Sequence, residues 1–541
     1  MQINIEKTDG YVIIPGMNSE GFCLPEIDAL QSRLQRSELE NELLREQVRL
    51  LRLQLFGRKT ESSQSLSGQQ QLLLFNESIE SCEQAPATID EIVVPQHTRK
   101  KNGRKPLPES LPRVEIVHDV ADEAKVCGCG TAKSRIGEDV SEQLDIVPAR
   151  IQVLRHVRPK YACRLCEGVE DDGPTVTIAP PPVQIIPKSI ASAGLLAHVL
   201  VTKFADAVPF YRQEGLFARL GVEVNRTSMC NWAMKAAEAC QPLLELHRKE
   251  IRSGPLINAD ETTVQVLKEP GRSASQKSYM WVFRGGDIER PALEFTYNPT
   301  RAAAFAAEYL RDYKGYVQTD GYSGYDFLDR QDGVIHFGCW AHVRRKFVDV
   351  IKAAGKLRSK KKTGAAEEAV EQIRQMYAIE KAAKEKELRP EEISALRQEK
   401  SKPLVTAFHA WLKDNELKVP PKSLLGKAIA YALGQWKRLV VYLEDGRLRM
   451  DNNLAENAIR PFVVGRKNWL FSGNVAGAEA SAALYSLIES AKTNGLEPYW
   501  YLRRLFERLP LANSEEELCA LLPQHFDRSL LPTNQLLDIG V

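Results

Sequence analysis

The chain has 541 residues, of which 43% are hydrophobic and 27% charged, a composition that excludes a disordered or fibrous protein and a length that excludes a single hydrophobic core. Against 71 Asp and Glu stand 73 Lys and Arg, so the net charge of +2 gives no bulk attraction to nucleic acid, and any such affinity must come from local basic clusters. The start, MQINIEKTDGYVIIPGMNSEGF, lacks the pattern of a secretory signal, and the most apolar stretch, Leu195 to Tyr211, is broken by His198, Lys203 and Asp206. A soluble, cytoplasmic protein without a membrane partner is expected.

Residues 1–26 read as an N-terminal tail. Over 27–57 apolar residues fall on a heptad, with Ile27, Leu34, Val48 and Leu55 at one seam position and Leu30, Leu44 and Leu51 at the other. Asn41 sits at a seam position where a buried amide fixes register, and Arg33 with Glu38 and Glu40 with Arg45 have the spacing of interhelical pairs. The pattern predicts a coiled coil that makes a homodimer or higher oligomer through residues 27–55; an amphipathic helix packed on its own chain is the other reading. Residues 58–112 form a linker rich in Ser, Gln, Glu and Pro, ending in HTRKKNGRKPLPESLPR, where Arg104 and Lys105 are candidate phosphate contacts.

Residues 113–180 carry Cys127, Cys129, Cys163 and Cys166 on short β-like runs. Two ribbons, each presenting two thiolates, predict a structural Zn²⁺ site in a small module; the first pair is one residue tighter than the usual knuckle. Residues 181–252 predict helices in the order of a helix-turn-helix, with Asn225 or Thr227 capping the last one and Arg226, Ser228 and Asn231 placed to read base edges. A plain three-helix packing unit fits the same pattern.

From Pro255 the texture alternates: PLINADETTVQV, SYMWVF and ALEFTYN predict three strands, TRAAAFAAEYLRD a helix, GYVQTD and VIHF two more strands, and CWAHVRRKF a helix. This order, over residues 253–347, is that of a ribonuclease-H-like α/β core, with Asp260 and Asp320 side by side on the first and fourth strands. Two adjacent carboxylates need a counter-charge, and two Mg²⁺ (or Mn²⁺) ions suit phosphoryl chemistry. Glu456 is the third acid of choice, on a short helix capped by Asp451 or Asn452, with Asp451 as the alternative; Glu261 should face the opposite side of its strand. Residues 348–445 are rich in Ala, Lys and Glu and predict a helical insertion with KLRSKKKTG as a loop, 446–500 the second part of the core, and 501–541 a helical tail.

NADETTVQV, TDGYSGY, HFGCWAHVRRKF and DNNLAENAIRPFVVGRKNWLFSGN together resemble the transposase of the insertion sequence 66 family of bacterial mobile elements. The likeness extends over the leucine-rich start, EDVSEQLDIVP and VRPKYAC in the cysteine module, and LIESAKTNGLEPYWYLRRLFERLP. It implies a bacterial, nucleoid-associated enzyme with the acidic triad Asp260, Asp320 and Glu456, divalent-metal cleavage and transfer of DNA strands, element ends and target DNA as partners, and small accessory proteins of the same element. Arg344, Arg345, Arg460, Arg466 and Lys467 lie near the catalytic blocks as candidate phosphate contacts, and Trp469 as a base-stacking ring. Cys339 and His342 resemble a Cys-x-x-His element of other transposases, with a role in packing as the plain alternative. A nuclease of the same fold without joining activity, and a DNA-binding regulator with a degenerate core, are the competing readings.

Overall fold

A computed structural model of the chain describes residues 176–354 and 364–532, together with 6–8, 11–13, 22–23, eight positions between 33 and 48, and 151–162. The linker with Arg104 and Lys105, the four cysteines of the expected zinc module and the KLRSKKKTG loop lie outside the described residues. Pro86–Pro181 is one compact unit, and the remaining residues form a second. In the first, Lys160–Ala162 and Val176–Ile178 pair antiparallel, on either side in sequence of Cys163 and Cys166. In the second, the described positions of the heptad stretch, including Leu44 and Val48, are helical, and both of these seam residues are exposed.

Four helices lead into the sheet: α1 (Ala193–Phe204), α2 (Phe210–Arg219), α3 (Arg226–Ala239) and α4 (Gln241–Ser253). Asn225 caps α3, its side chain accepting from Ser228 N, and Gly221 turns the chain between α2 and α3 with φ of 77°. The buried faces of these helices share one core with the sheet, so they do not form a module apart from it.

Alternating residues then give β1 (Leu256–Lys268), β2 (Lys277–Gly286) and β3 (Pro291–Asn298), joined antiparallel. After α5 (Ala303–Tyr309), β4 (Gly315–Gln318) lies parallel to β1, and β5 (Val334–Phe337) parallel to β4. The order across the sheet is β3-β2-β1-β4-β5, and β6 (Ser472–Asn474) adds beside the end of β1. All five strands anticipated from the sequence are present. Because successive side chains on β1 alternate sides, Ile257 and Ala259 pack with Trp281, Phe283 and Tyr309 on one face, while Val264 and Val266 pack with Met280 and Val282 on the other.

The second face is covered by α11 (Asn453–Trp469) and α12 (Val475–Thr493), and α13 (Pro498–Arg508) buries Tyr501, Leu502, Leu505 and Phe506 in the same core, so this helix is integral to the fold and crosses the boundary expected at residue 500. Edge strand β3 meets α12 through polar contacts: Leu293 N and Phe295 N donate to Ser490 Oγ and Ser486 Oγ at 2.9 and 2.8 Å, and Asn494 Nδ2 donates to Pro291 O at 2.9 Å. The four-residue spacing keeps these side chains on one stripe of the helix.

Between α6 (Trp340–Ala354) and α11 the chain makes a mostly helical insertion with its own apolar cluster, built on α7 (Ala365–Glu385), α8 (Pro390–Leu396), α9 (Lys402–Glu416) and α10 (Leu424–Gly434). A π-helical turn, Arg397–Ser401, joins α8 to α9 and turns the Arg397 guanidinium inward. Its Nε and Nη2 grip Glu380 at 2.9 and 2.6 Å, and Nη1 and Nη2 donate to the carbonyls of Tyr442, Asp445 and Leu448. All five donors are used, and the chain returning toward α11 is held by one side chain. No helix among the described residues is long and apolar enough to cross a membrane.

Arg397→Ala leaves three carbonyls and the Glu380 carboxylate without this partner and should cost about 3 kcal/mol, read from the urea midpoint. Arg397→Lys should recover less than half, because an ammonium cannot form the same fork. A loss below about 1 kcal/mol in Arg397→Ala would remove this side chain from its holding role.

Candidate active site

Pairing of β1 with β4 sets the first two acids. Leu256, Ile257 and Asn258 stand opposite Tyr316, Val317 and Gln318, and two residues beyond the last pair come Asp260 and Asp320. The register is locked by amides in place of apolar side chains: Asn258 Nδ2 donates to Gln318 Oε1 at 2.8 Å, and Gln318 Nε2 donates to Gly338 O and Arg449 O at 3.2 and 2.9 Å. Both amide side chains are buried. Burying polar groups with their partners specifies one alignment, since a slip would strand them.

The third acid arrives on α11. Asn452, the residue before this helix, does not cap it with its side chain; Nδ2 reaches across the sheet to Ala259 O at 2.9 Å, and its backbone N donates to Cys339 Sγ at 3.2 Å. Glu456 is thereby carried to the face of β1 that holds Asp260. The charge on Glu456 and that on Asp320 both raise the Asp260 carboxyl, behind burial and the adjacent Glu261, which pushes it well above the usual range. Asp451 is absent from that set; its Oδ1 accepts from Asn453 N at 3.2 Å, and it also bonds the Tyr377 hydroxyl. Of the two candidate third acids, Glu456 is the one whose charge acts on Asp260. Its helix is longer than anticipated, 17 residues running through Pro461.

Glu456 is 5% exposed, and neither of its carboxylate oxygens accepts a hydrogen bond. Arg345 Nη2 lies 3.8 Å and His342 Nδ1 3.7 Å from its carboxylate oxygens. Burial pushes the carboxyl up to about 8, with Asp451 and Asp320 adding to the shift and Arg345 opposing it. Burial and Arg345 hold His342 down at about 3, so the imidazole is neutral beside it. Burial also raises Asp320, against a hydrogen bond from Tyr322 N and the charge of Arg301. Carboxylate oxygens with vacant lone pairs suit hard divalent cations, while the donor atoms that lie within 4.8 Å of one another among the described residues are those of Glu456, Cys339 and His342.

Glu261 faces the other side of β1, as anticipated, bonded to Arg301 and to the Tyr325 hydroxyl at 2.6 Å. The same Arg301 lies 3.9 Å from Asp320 Oδ2, with its guanidinium 3.6 Å from the centre of the Tyr322 ring. Arg301, Asn258 and Gln318 are residues of this region that the sequence reading passed over, and Asn452, expected as a cap, instead bonds Ala259. A signal existed for two of them, since Asn258 and Gln318 each precede an acid by one strand repeat on otherwise apolar strands.

The other candidates are dispersed. Cys339, His342 and Glu456 bring one donor atom each within 4.8 Å of one another, so the Cys-x-x-His pair adjoins the third acid. Arg345 faces Glu456, and the charge of Arg460 also acts on it. Arg466 Nη1 donates to Thr262 Oγ1 and Thr263 Oγ1 at 3.2 and 3.0 Å, which ties it to β1. Trp469 packs edge-on to Phe462 against the core, while Lys467 is exposed. Arg344 is half-buried on α6 near Tyr377. Arg226 and Asn231 are exposed and Ser228 half-buried at the start of α3, away from this site in sequence.

The profile of the Transposase IS66 family matches residues 188–480, which hold all three acids. The chain belongs to that family. The zinc-finger binding domain of transposase IS66 matches residues 124–167, a span that contains all four cysteines and supports a structural zinc there. Transposase C of IS166 homeodomain matches 43–116, and the IS66 C-terminal element 486–524. Among curated relatives, all from Sinorhizobium fredii, the uncharacterized protein y4jD is 35% identical over 77% of this chain and 81% of its own length. The uncharacterized proteins y4qI and y4hP are 33% and 28% identical over 79% and 90% of the chain, and 78% and 89% of their own lengths. This family membership makes the protein a DNA-processing enzyme with DNA as its partner.

Because Glu456 has a raised folded pKa, the metal-free fold loses stability as pH rises from the ordinary value of 4.5, where unfolded Glu456 ionises, to about 8, and the loss then levels off. Glu456→Gln should equal wild type near pH 4.5 and exceed it by on the order of 3 kcal/mol by pH 8, with unfolding followed in EDTA. Mg²⁺ or Mn²⁺ should raise the wild-type melting temperature at pH 8 more than that of Glu456→Gln. Equal stability of the two proteins across this range would show that Glu456 is not held under strain.

Proposed function

We propose that the chain is the DNA transposase of a bacterial insertion sequence, which binds the element's ends and cuts and joins DNA strands at Asp260, Asp320 and Glu456 with divalent metal. The observation that carries the reading is that acids from β1, the end of β4 and α11 act on one another, the charges of Glu456 and Asp320 both raising Asp260, with Glu456 buried and both its carboxylate oxygens open. The strand order, with an antiparallel β1–β3 and parallel β1, β4 and β5, supports a ribonuclease-H-like core with a helical insertion.

Asp260, Asp320 and Glu456 would hold two Mg²⁺ or Mn²⁺ ions, which when bound supply activation of the attacking oxygen and stabilisation of the leaving one. The protein's part is placement. Arg301 and the Tyr322 amide orient Asp320, Asn452 fastens the Glu456 helix to Ala259, and the Asn258–Gln318 bond keeps the strands in register. Arg345 and Arg460 temper the repulsion among the acids while no cation is present.

Cys127, Cys129, Cys163 and Cys166 serve as the zinc ligands in this reading, supported by the family match across them. The heptad through residues 27–55 pairs protomers so that two ends are processed together; the exposed helical Leu44 and Val48 support it. End recognition is assigned to the zinc module, the basic cluster and the exposed start of α3 with Arg226, Ser228 and Asn231.

The protein, incubated with Mg²⁺ or Mn²⁺ and DNA bearing the element's ends, should yield cleaved and joined products. Asp260→Asn, Asp320→Asn and Glu456→Gln should abolish both, and Asn452→Ala should lower the rate about 10- to 100-fold, as expected for a residue that orients a metal ligand. Cleavage without any joined product would identify a nuclease, and end binding without cleavage a regulator.

A further inference from the structure

Outside the carboxylate cluster, two arginines, Arg284 and Arg449, border one cleft. Arg284 on β2 pairs in register with Asn258 on β1, one strand repeat from the pair of Val282 with Asp260, so Arg284 and Asp260 project from the same face about 7 Å apart along the strands. Arg449 lies on the segment that returns to α11, and its carbonyl accepts from Gln318 Nε2 at 2.9 Å. The amide relay through Asn258 and Gln318 thus holds the backbone of Arg449, while Asn258 also approaches the Arg284 guanidinium.

Both border a small cleft, lined also by Leu256, Gly285, Gly286 and by Leu454 in the first turn of α11. Among the described residues neither guanidinium forms an ion pair, and the strongest contact of Arg284 is a 3.5 Å approach of Nη1 to Asn258 Oδ1. The nearby acids have partners of their own, although Asp287 also lines the cleft and the charge of Arg449 acts on Asp451. Arg447 pairs with Asp445, Asp287 accepts from Glu289 N and Arg290 N in its own turn, and Asp451 bonds Asn453 N and Tyr377. Arg284 is held down at about 10 by burial and by the charge of Arg449, which shows two cations repelling each other across the cleft. Two guanidiniums held near each other on one cleft favour an anion between them, and Leu454, which lines the cleft, lies in the first turn of the 17-residue α11.

We propose that Arg284 and Arg449 form a phosphate-binding subsite that grips the DNA backbone beside the phosphate being cut. This inference rests on the reading of the acids as a DNA-processing site and extends it, because a strand that enters over α11 would place one phosphodiester between the guanidiniums and the next within reach of Asp260. A guanidinium pair suits a phosphate better than lysines would, by its planar, bidentate fork. The subsite contacts no base, so it holds any sequence in register.

Two measurements test it, using Arg284→Gln, Arg449→Gln and the double variant of the full chain. Inorganic phosphate should raise the melting temperature of wild type above that in chloride at matched ionic strength, and the double variant should lose the difference. In titrations with a duplex carrying the element's ends, the slope of log affinity against log salt should shrink by about one for the double variant, the share of one phosphate. Exposed Arg449 gives a variant that folds even if Arg284→Gln does not. No phosphate protection of wild type, or a salt slope unchanged in the variants, would overturn the subsite; protection with an unchanged slope would mark an anion site that DNA does not use. Asp320→Asn should keep the phosphate response while losing cleavage. A wild type that responds to phosphate and never cuts DNA would sink the catalytic reading and leave the anion site standing.

Discussion

Carboxylates crowded into a shared, poorly solvated space repel one another, and the rest of this fold can be read as the means of holding Asp260, Asp320 and Glu456 together despite that repulsion. Apolar packing alone would let the strands shift and the acids part. What resists is a set of directed bonds: Asn258 to Gln318 between strands, Gln318 to Arg449 and Asn452 to Ala259 between sheet and the Glu456 segment, and Arg301 against Asp320. Each is buried or partly buried, where an unmade hydrogen bond costs about 1–3 kcal/mol. The arrangement keeps unfavourable charge concentrated around Asp260 and Glu456.

Much of this was legible in the sequence where the pattern was local. The strands around Asp260, Asp320 and Phe337 could be drawn from alternation and turns, because a half-buried strand writes its burial into every second residue. The Asn225 cap and the opposite facing of Glu261 follow from equally local geometry. Glu456 could be named from its motif but not placed, since nothing near it in sequence says which face of which strand its helix will cross. The fasteners were hidden for the same reason: Asn452 meets Ala259 across 193 residues and Gln318 meets Arg449 across 131. Arg466 and Trp469 show the converse. Their types suggest nucleic-acid contact, yet the fold turns one onto Thr262 and Thr263 and the other against Phe462.

The insertion takes part in the site without adding an acid to it. Arg397 draws the carbonyls of Tyr442, Asp445 and Leu448 around one guanidinium, and only a few residues later the chain delivers Arg449, Asn452 and Glu456. A helical subdomain thus sets the starting point of the Glu456 helix.

The serine stripe on α12 has a consequence for how copies of this protein can meet. An outer strand with vacant amides invites any extended peptide to lengthen the sheet, a route to domain swapping and fibrils. By answering the Leu293 and Phe295 amides and the Pro291 carbonyl with Ser490, Ser486 and Asn494, α12 closes β3 to such recruitment while it stays docked. Any contact between copies on that side of the sheet is thereby left to side-chain surfaces, where sequence can choose the partner, and not to backbone pairing.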